Sequence, residues 1–263
     1  RTAQVKSWLD AVAEDGRVHG YVNPIGAVTG RMTHSSPNVA QVPSSYSPYG
    51  KECRSCWIVK EGYKLVGADA SGLELRMLSH YMNDKEYTHE VTSGSAGLPD
   101  RDSAKTFIYA FLYGAGDAKI GSIVGGSSKH GKKLKAKFLS NTPSLGDLRE
   151  RVERACLRGY LEGLDGRKLH VRSSHAALNT LLQSAGAIVM KKALTLLDEY
   201  AKIYKIEYNM VGNIHDEIQA EVRADQADQF GWLAVECIKA AGVKFNMRCP
   251  LDGEYKVGNT WAE

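Results

Sequence analysis

Residues 63–68, Tyr-Lys-Leu-Val-Gly-Ala, constrain this chain more than any other stretch. They are apolar and β-prone and end on Asp69. Helical spacing then takes over from Gly72 to Met82, through Leu73, Leu75, Met77, Leu78 and Tyr81. That pattern is a strand, a tight turn and a helix, with a carboxylate at the strand's end. Residues 207–222 alternate as two strands meeting near His215-Asp216, a hairpin with acids at its tip. Helices are expected over residues 102–113 and 174–204. Another should run over residues 225–241 and end at Gly242. Residues 243–257 suggest one more strand. Helices mixed with antiparallel strands imply an α+β architecture. The first fifty residues open with a short helix (5–13), are rich in Gly, Pro, Ser and Asn, and should drape over something else. Residues 121–167 read as polar, Gly-punctuated and helical in patches, and Ser93-Gly94-Ser95-Ala96-Gly97 as a flexible break.

Composition narrows the class. A chain of 263 residues with 43% hydrophobic and 24% charged residues can bury a sizeable core, in one large domain or two modest ones. No run approaches eighteen apolar residues, so a membrane span is excluded. The start, Arg1-Thr2-Ala3-Gln4, has neither an initiator Met nor a signal-peptide core and reads like a piece of something longer. A net charge of +4 permits a polyanionic partner without demanding one. Six Lys and no acid fall between Lys119 and Phe138, which is either a solvated face or a phosphate-facing surface. Five Cys form no even framework, and Cys53-Arg-Ser-Cys56 lacks the second ligand pair of a zinc site. Reduced, structural thiols in an intracellular chain are expected.

Three constellations carry chemistry. In Asp69-Ala70-Ser71-Gly72-Leu73-Glu74-Leu75-Arg76, a carboxylate at a strand end can present its side chain and a neighbouring carbonyl to a hard cation, though an Asp before a helix also serves as an N-cap. Arg101, Lys105, Tyr109 and Tyr113 are each four residues apart, and each step advances roughly 40° around a helix. They share one stripe, two cations and then two rings, suited to a triphosphate and a base or sugar. The alternative is a salt-bridging helix with aromatics in the core. Finally, Ile214-His215-Asp216-Glu217 places adjacent acids on a tight turn, where like charges repel unless a divalent metal relieves them or water solvates them. If Asp69 and Asp216 converge, they could hold a pair of Mg²⁺ ions suited to in-line phosphoryl transfer.

In this order, with Thr29-Gly30-Arg31 upstream, the three motifs resemble the palm and fingers of family A (DNA polymerase I-like) DNA polymerases, and more narrowly those of short-tailed, T-odd phages. Residues 37–43, 163–168 and 182–186 support the resemblance, which covers almost the whole chain. It implies an antiparallel palm sheet with helices and an inserted, mainly helical fingers subdomain. The palm would take residues 1–81, with a short thumb remnant at the N-terminus, and 179–263; the fingers would take 82–178. It implies a DNA-directed DNA polymerase using two Mg²⁺ ions. Asp69 and Asp216 would be the metal carboxylates, with the Ala70 carbonyl completing one shell and Glu217 nearby as a third acid of the catalytic set. Glu74 would be a steric gate beneath the sugar. Arg101 and Lys105 would hold the triphosphate, Tyr109 would stack beside the nucleotide, and Tyr113 would shape the nascent pair. Arg31, Asn179, Gln183 and His215 would contact DNA. The implied partners are primer–template DNA, dNTP and an upstream thumb and exonuclease region or chain. The implied setting is the cytoplasm, that of the host if the chain is phage-encoded. The family's His-bearing element before the fingers helix has no counterpart in residues 91–98. The competing reading is a non-catalytic or incomplete DNA-binding polymerase fragment that needs a complementing chain.

Overall fold

The computed structural model describes residues 2–93, 101–112, 114–171 and 173–262. In chain order the elements are α1 (Thr2–Leu9), β1 (Tyr21–Asn23), β2 (Thr33–Ser35), α2 (Gly50–Ser55), β3 (Tyr63–Ala70), α3 (Leu73–Met82) and α4 (Lys85–Ser93). Then come α5 (Arg101–Leu112), α6 (Asp117–Ile123), α7 (Ser128–Asn141), α8 (Pro143–Cys156), β4 (Tyr160–Glu162) and β5 (Lys168–His170). The chain closes with α9 (Ser174–Ile203), β6 (Tyr208–Ile214), β7 (Glu217–Arg223), α10 (Ala227–Lys244) and β8 (Gly253–Gly258). The α+β expectation holds. Among the described residues no helix is long and apolar enough to cross a membrane.

Contacts divide the chain into two units. The first comprises residues 1–71, 189–241 and 252–263, and the second residues 72–188 and 242–251.

The first unit is built on a four-stranded antiparallel sheet in the order β6-β7-β3-β8. Side chains alternate between the faces of a strand. Val66, Ala68 and Ala70 of β3 therefore share one face with Ile218, Ala220 and Val222 of β7, and all six are buried. Helix α10 covers that face, with the Phe230 ring 4.9 Å from Tyr208 and the Gly231 backbone against the Tyr255 ring. The opposite face carries Leu65, Gly67 and Asp69 beside Glu217, Gln219 and Glu221. The N-terminal segment lies over it, as expected for a draping chain, and a cavity of about 550 Å³ between them is lined by Trp8, Leu65, Gln219, Glu221 and Trp261.

The second unit is mainly helical. Met77, Leu78, Leu145, Leu148, Leu161 and Leu182 are buried in it, and Phe107, Phe111 and Phe138 form an aromatic trio with centroids 5.2 to 6.3 Å apart. Strands β4 and β5 form a small hairpin whose first strand falls at the end of the stretch expected to be patchily helical.

The C-terminal helix corrects one expectation. Helix α10 does not stop at Gly242 but runs to Lys244. Gly242 serves packing instead, since a β-carbon there would stand 2.8 Å from Leu251 Cγ. The stop comes at Asn246 (φ 51°), where the Met247 N–H donates to the Gly242 carbonyl at 3.0 Å.

Candidate active site

Because Ala68 and Ala70 point into the core, alternation turns Asp69 to the other face, where it is exposed. It stands directly opposite Glu217 of β7. Opposed residues of an antiparallel ladder share a face, with β-carbons about 4.5–5.5 Å apart. The next residue, Ala70, donates its N–H to the Asp216 carbonyl at 3.2 Å. One end of the β3–β7 ladder thus gathers Asp69, Ala70, Asp216 and Glu217.

The Ile214–Glu217 pair closes the hairpin, leaving His215 and Asp216 as its turn. His215 is exposed at φ 61°, a left-handed conformation that costs an L-residue roughly 1–2 kcal/mol. Beside it, burial and the proximity of His215 push the His34 imidazole below its usual pKa. The segment after Gly30 reaches the same hairpin, since Asn213 Nδ2 donates to Met32 Sδ at 3.1 Å. Arg31, in that segment, is half-buried.

Glu217 is held on several sides. Its Oε1 accepts hydrogen bonds from Trp261 Nε1 at 2.8 Å and from the Gln219 amide, and lies 4.0 Å from an Arg54 guanidinium nitrogen. Gly67 makes this possible: a β-carbon there would come within 2.5 Å of Gln219 Nε2. A third acid on this face, Glu221, is 1% exposed. It accepts from Arg17 at 3.0 and 3.1 Å, from the Lys60 N–H at 3.0 Å and from Asn209 at 3.3 Å.

The donors at the ladder's end, two carboxylates and a backbone carbonyl, are hard oxygen ligands of the kind Mg²⁺ prefers while it keeps several waters. Among the described residues no cluster of three or more His, Cys, Asp or Glu is placed to hold a metal. The donor set fits Mg²⁺ and does not resemble a zinc site. The five Cys, Cys53 and Cys56 among them, are free thiols.

In the second unit, Gly72 (φ 58°, open space around its α-carbon) turns the chain into α3 and sets Glu74 in that helix's first turn, half-buried. Tyr109 lies on α5, also half-buried. Arg101 and Lys105 belong to the same helix, but their side chains lie outside the described part of the structure, and Tyr113 lies outside the described residues, as does most of the Ser93–Gly97 break. Asn179 and Gln183 stand one turn apart on α9, both half-buried. Asn179 lines a cavity of about 470 Å³ shared with Phe111, Lys135 and Arg149.

Sequence reasoning missed Arg17, Arg54, Gln219, Glu221 and Trp261. The signal for two of them was present: Glu217, Gln219 and Glu221 alternate with Ile218, Ala220 and Val222, marking a polar sheet face.

Comparison with known proteins follows the same lines. The chain is 45% identical to the DNA-directed DNA polymerase of Enterobacteria phage T3, over 98% of this chain and 42% of that protein. It is also 45% identical to the corresponding Escherichia phage T7 protein, over the same shares. It thus spans under half the length of these relatives. In structure it resembles the POL domain of Pol1 from M. smegmatis, solved in complex with DNA primer-template and dNTP, with a TM-score of 0.87 and 23% identity over 99% of this chain and 51% of that one. The DNA polymerase family A model matches residues 1–263 from end to end, and the chain belongs to that family.

Proposed function

We propose that the chain is the palm and fingers of a template-directed DNA polymerase acting in phage DNA replication. It transfers deoxynucleotides from dNTP to a primer 3′-hydroxyl. A bond forms between the primer O3′ and the α-phosphorus, the α–β phosphoanhydride breaks, pyrophosphate leaves, and the hydroxyl proton passes to solvent. The observation that carries this reading is the hydrogen bond from the Ala70 N–H, next to Asp69, to the Asp216 carbonyl at the end of the β3–β7 ladder, which joins two segments far apart in sequence.

Asp69, Asp216 and the Ala70 carbonyl would hold the metals, and Glu217 completes the acidic group. Two Mg²⁺ ions bound there would supply Lewis-acid activation of the hydroxyl and positive charge opposite the triphosphate. Arg101 and Lys105 grip the triphosphate, Tyr109 and Tyr113 pack against the nucleotide, and Glu74 excludes a 2′-hydroxyl. Arg31, Asn179, Gln183 and His215 hold the primer–template. The palm takes residues 1–81 and 179–263, and the fingers take 82–178. An upstream thumb and exonuclease region, in the same or a separate chain, is the proposed partner, supported by the 42% share of the relatives that this chain spans.

Primer extension beside a gel shift tests this. Asp69→Ala or Asp216→Ala should abolish extension and leave primer–template binding nearly intact, because acids that hold metal do not anchor phosphate. Substantial extension by either variant overturns the two-carboxylate assignment. Binding without extension by the unmutated chain favours the non-catalytic alternative.

A further inference from the structure

Glu217 and Asp69 oppose each other on one face of the β3–β7 ladder. At that separation an unrestrained glutamate, one methylene longer than an aspartate, can reach a cation held by Asp69. One of its two oxygens, Oε1, is nevertheless engaged elsewhere. Trp261 Nε1 donates to Oε1 at 2.8 Å, and the Gln219 amide donates to the same atom from two residues further along β7, away from the hairpin tip. Arg54 closes the arrangement: its guanidinium carbon lies 4.4 Å from the Trp261 ring centroid, one of its nitrogens is 4.0 Å from Oε1, and its Nε donates to the Pro43 carbonyl at 3.0 Å. Trp261 is itself fixed, since its backbone N–H donates to the Trp57 carbonyl at 3.1 Å and its ring packs against the buried Trp8, Val42 and Cys53.

We propose that Trp261 is a positioning residue that draws the Glu217 carboxylate back along β7 and out of the metal shell, so that Asp69 and Asp216 alone supply the side-chain ligands. This rests on the reading of those two acids as the metal-holding pair. The reason for withdrawing a third carboxylate is electrostatic. Each added anionic ligand binds a divalent ion more tightly, whereas Mg²⁺ in such sites is held by one or two carboxylates and must keep positions for substrate oxygens. The indole N–H also strengthens as a partner because the site is half-buried, with the Glu217 side chain 23% exposed.

The test is direct binding of Mn²⁺ to the full chain with primer–template, read from the electron paramagnetic resonance signal of free Mn²⁺. Asp216→Asn should weaken binding about tenfold or more, and if it does not, the metal-pair reading itself fails. With that established, Trp261→Phe, which keeps an aromatic ring beside Arg54 but loses the N–H, should tighten Mn²⁺ binding about fivefold as Glu217 is released. The double variant Trp261→Phe/Glu217→Gln should return to the starting affinity. Glu217→Gln alone keeps size and an acceptor for Trp261, and should bind Mn²⁺ within about twofold of the unmutated chain. Weakened binding in Glu217→Gln would make Glu217 a ligand and overturn the proposal. So would unchanged binding in Trp261→Phe, or tightening that survives in the double variant.

Discussion

At the scale of single residues, Arg17 and Glu221 do what no local pattern announces. They lie 204 positions apart, and Arg17 Nη2, donating to both Glu221 oxygens, pins the N-terminal segment over the sheet. Burial alone would raise the Glu221 pKa, but the Lys60 N–H, Arg17 and Asn209 outweigh it and hold the carboxyl below its usual range. The sign of its linkage follows. A depressed folded pKa makes the contribution complete above the ordinary value of 4.5, and it drains away as pH falls through the folded pKa. Arg17→Ala should cost about 1–3 kcal/mol at pH 7, because a buried carboxylate loses two of its donors. The loss should sit toward the low end, since Arg17 is 41% exposed and two other donors remain. Chemical denaturation at several pH values checks this: the gap between variant and parent should narrow as pH falls below the ordinary carboxyl value of 4.5. A gap that widens in acid would contradict the pairing. The acids at 69 and 216 could be picked out as chemically odd from sequence, because an Asp at a strand end and an acidic hairpin tip are visible locally. The pairing of Arg17 with Glu221 could not, because the alternation that puts Glu221 on a polar sheet face does not show that the fold buries it or that Arg17 reaches it.

Elements show a similar division. Helix α4 begins immediately after Asp84, whose Oδ1 accepts from the N–H groups of Glu86 at 3.0 Å and Tyr87 at 3.2 Å, while Ser144 Oγ donates to its Oδ2 at 2.7 Å. The Ser144 hydroxyl first, and the Tyr87 and Glu86 N–H groups with it, lower the Asp84 pKa despite some desolvation. Asp84→Ala should destabilise the second unit by about 1 kcal/mol, the ordinary cost of losing an N-cap. Asp84→Asn should recover most of that loss. Thermal melts of the three proteins decide it, and an Ala variant as stable as the parent would sink the capping role. Strands β3, β6 and β7 and helices α3, α5 and α9 were legible because each carries a long periodic signal. Strands β4 and β5 were not: three residues are too few to alternate, although Asp165-Gly166 between them is a turn signal. The end of α10 was misjudged for a different reason. A glycine near a helix end reads as a stop, and only the packed Leu251 shows that Gly242 is small to make room.

For the whole molecule, a formal charge of +4 and an α7 surface bearing exposed Lys129, Lys132, Lys133 and Lys137 favour phosphate-led contact with nucleic acid. If as few as two phosphates are neutralised, a fourfold rise in salt should weaken primer–template binding about twelvefold, from a slope near −0.9 per phosphate. Fluorescence anisotropy should show the parent and Asp216→Ala falling in parallel, and salt-insensitive binding would contradict the phosphate-led view. By itself the sequence determined the α+β class, the strand carrying Asp69, the hairpin carrying Asp216, and the family to which their order belongs. Those are properties of local periodicity and of motif spacing along one chain. Tertiary structure alone decided that β7 rather than β6 pairs with β3, that Asp69 therefore faces Glu217, and that Trp261 and Gln219 claim the Glu217 carboxylate. Pairing and register arise from how buried faces match across long loops. A shift of one residue would turn Glu217 into the core and leave the same sequence without its site.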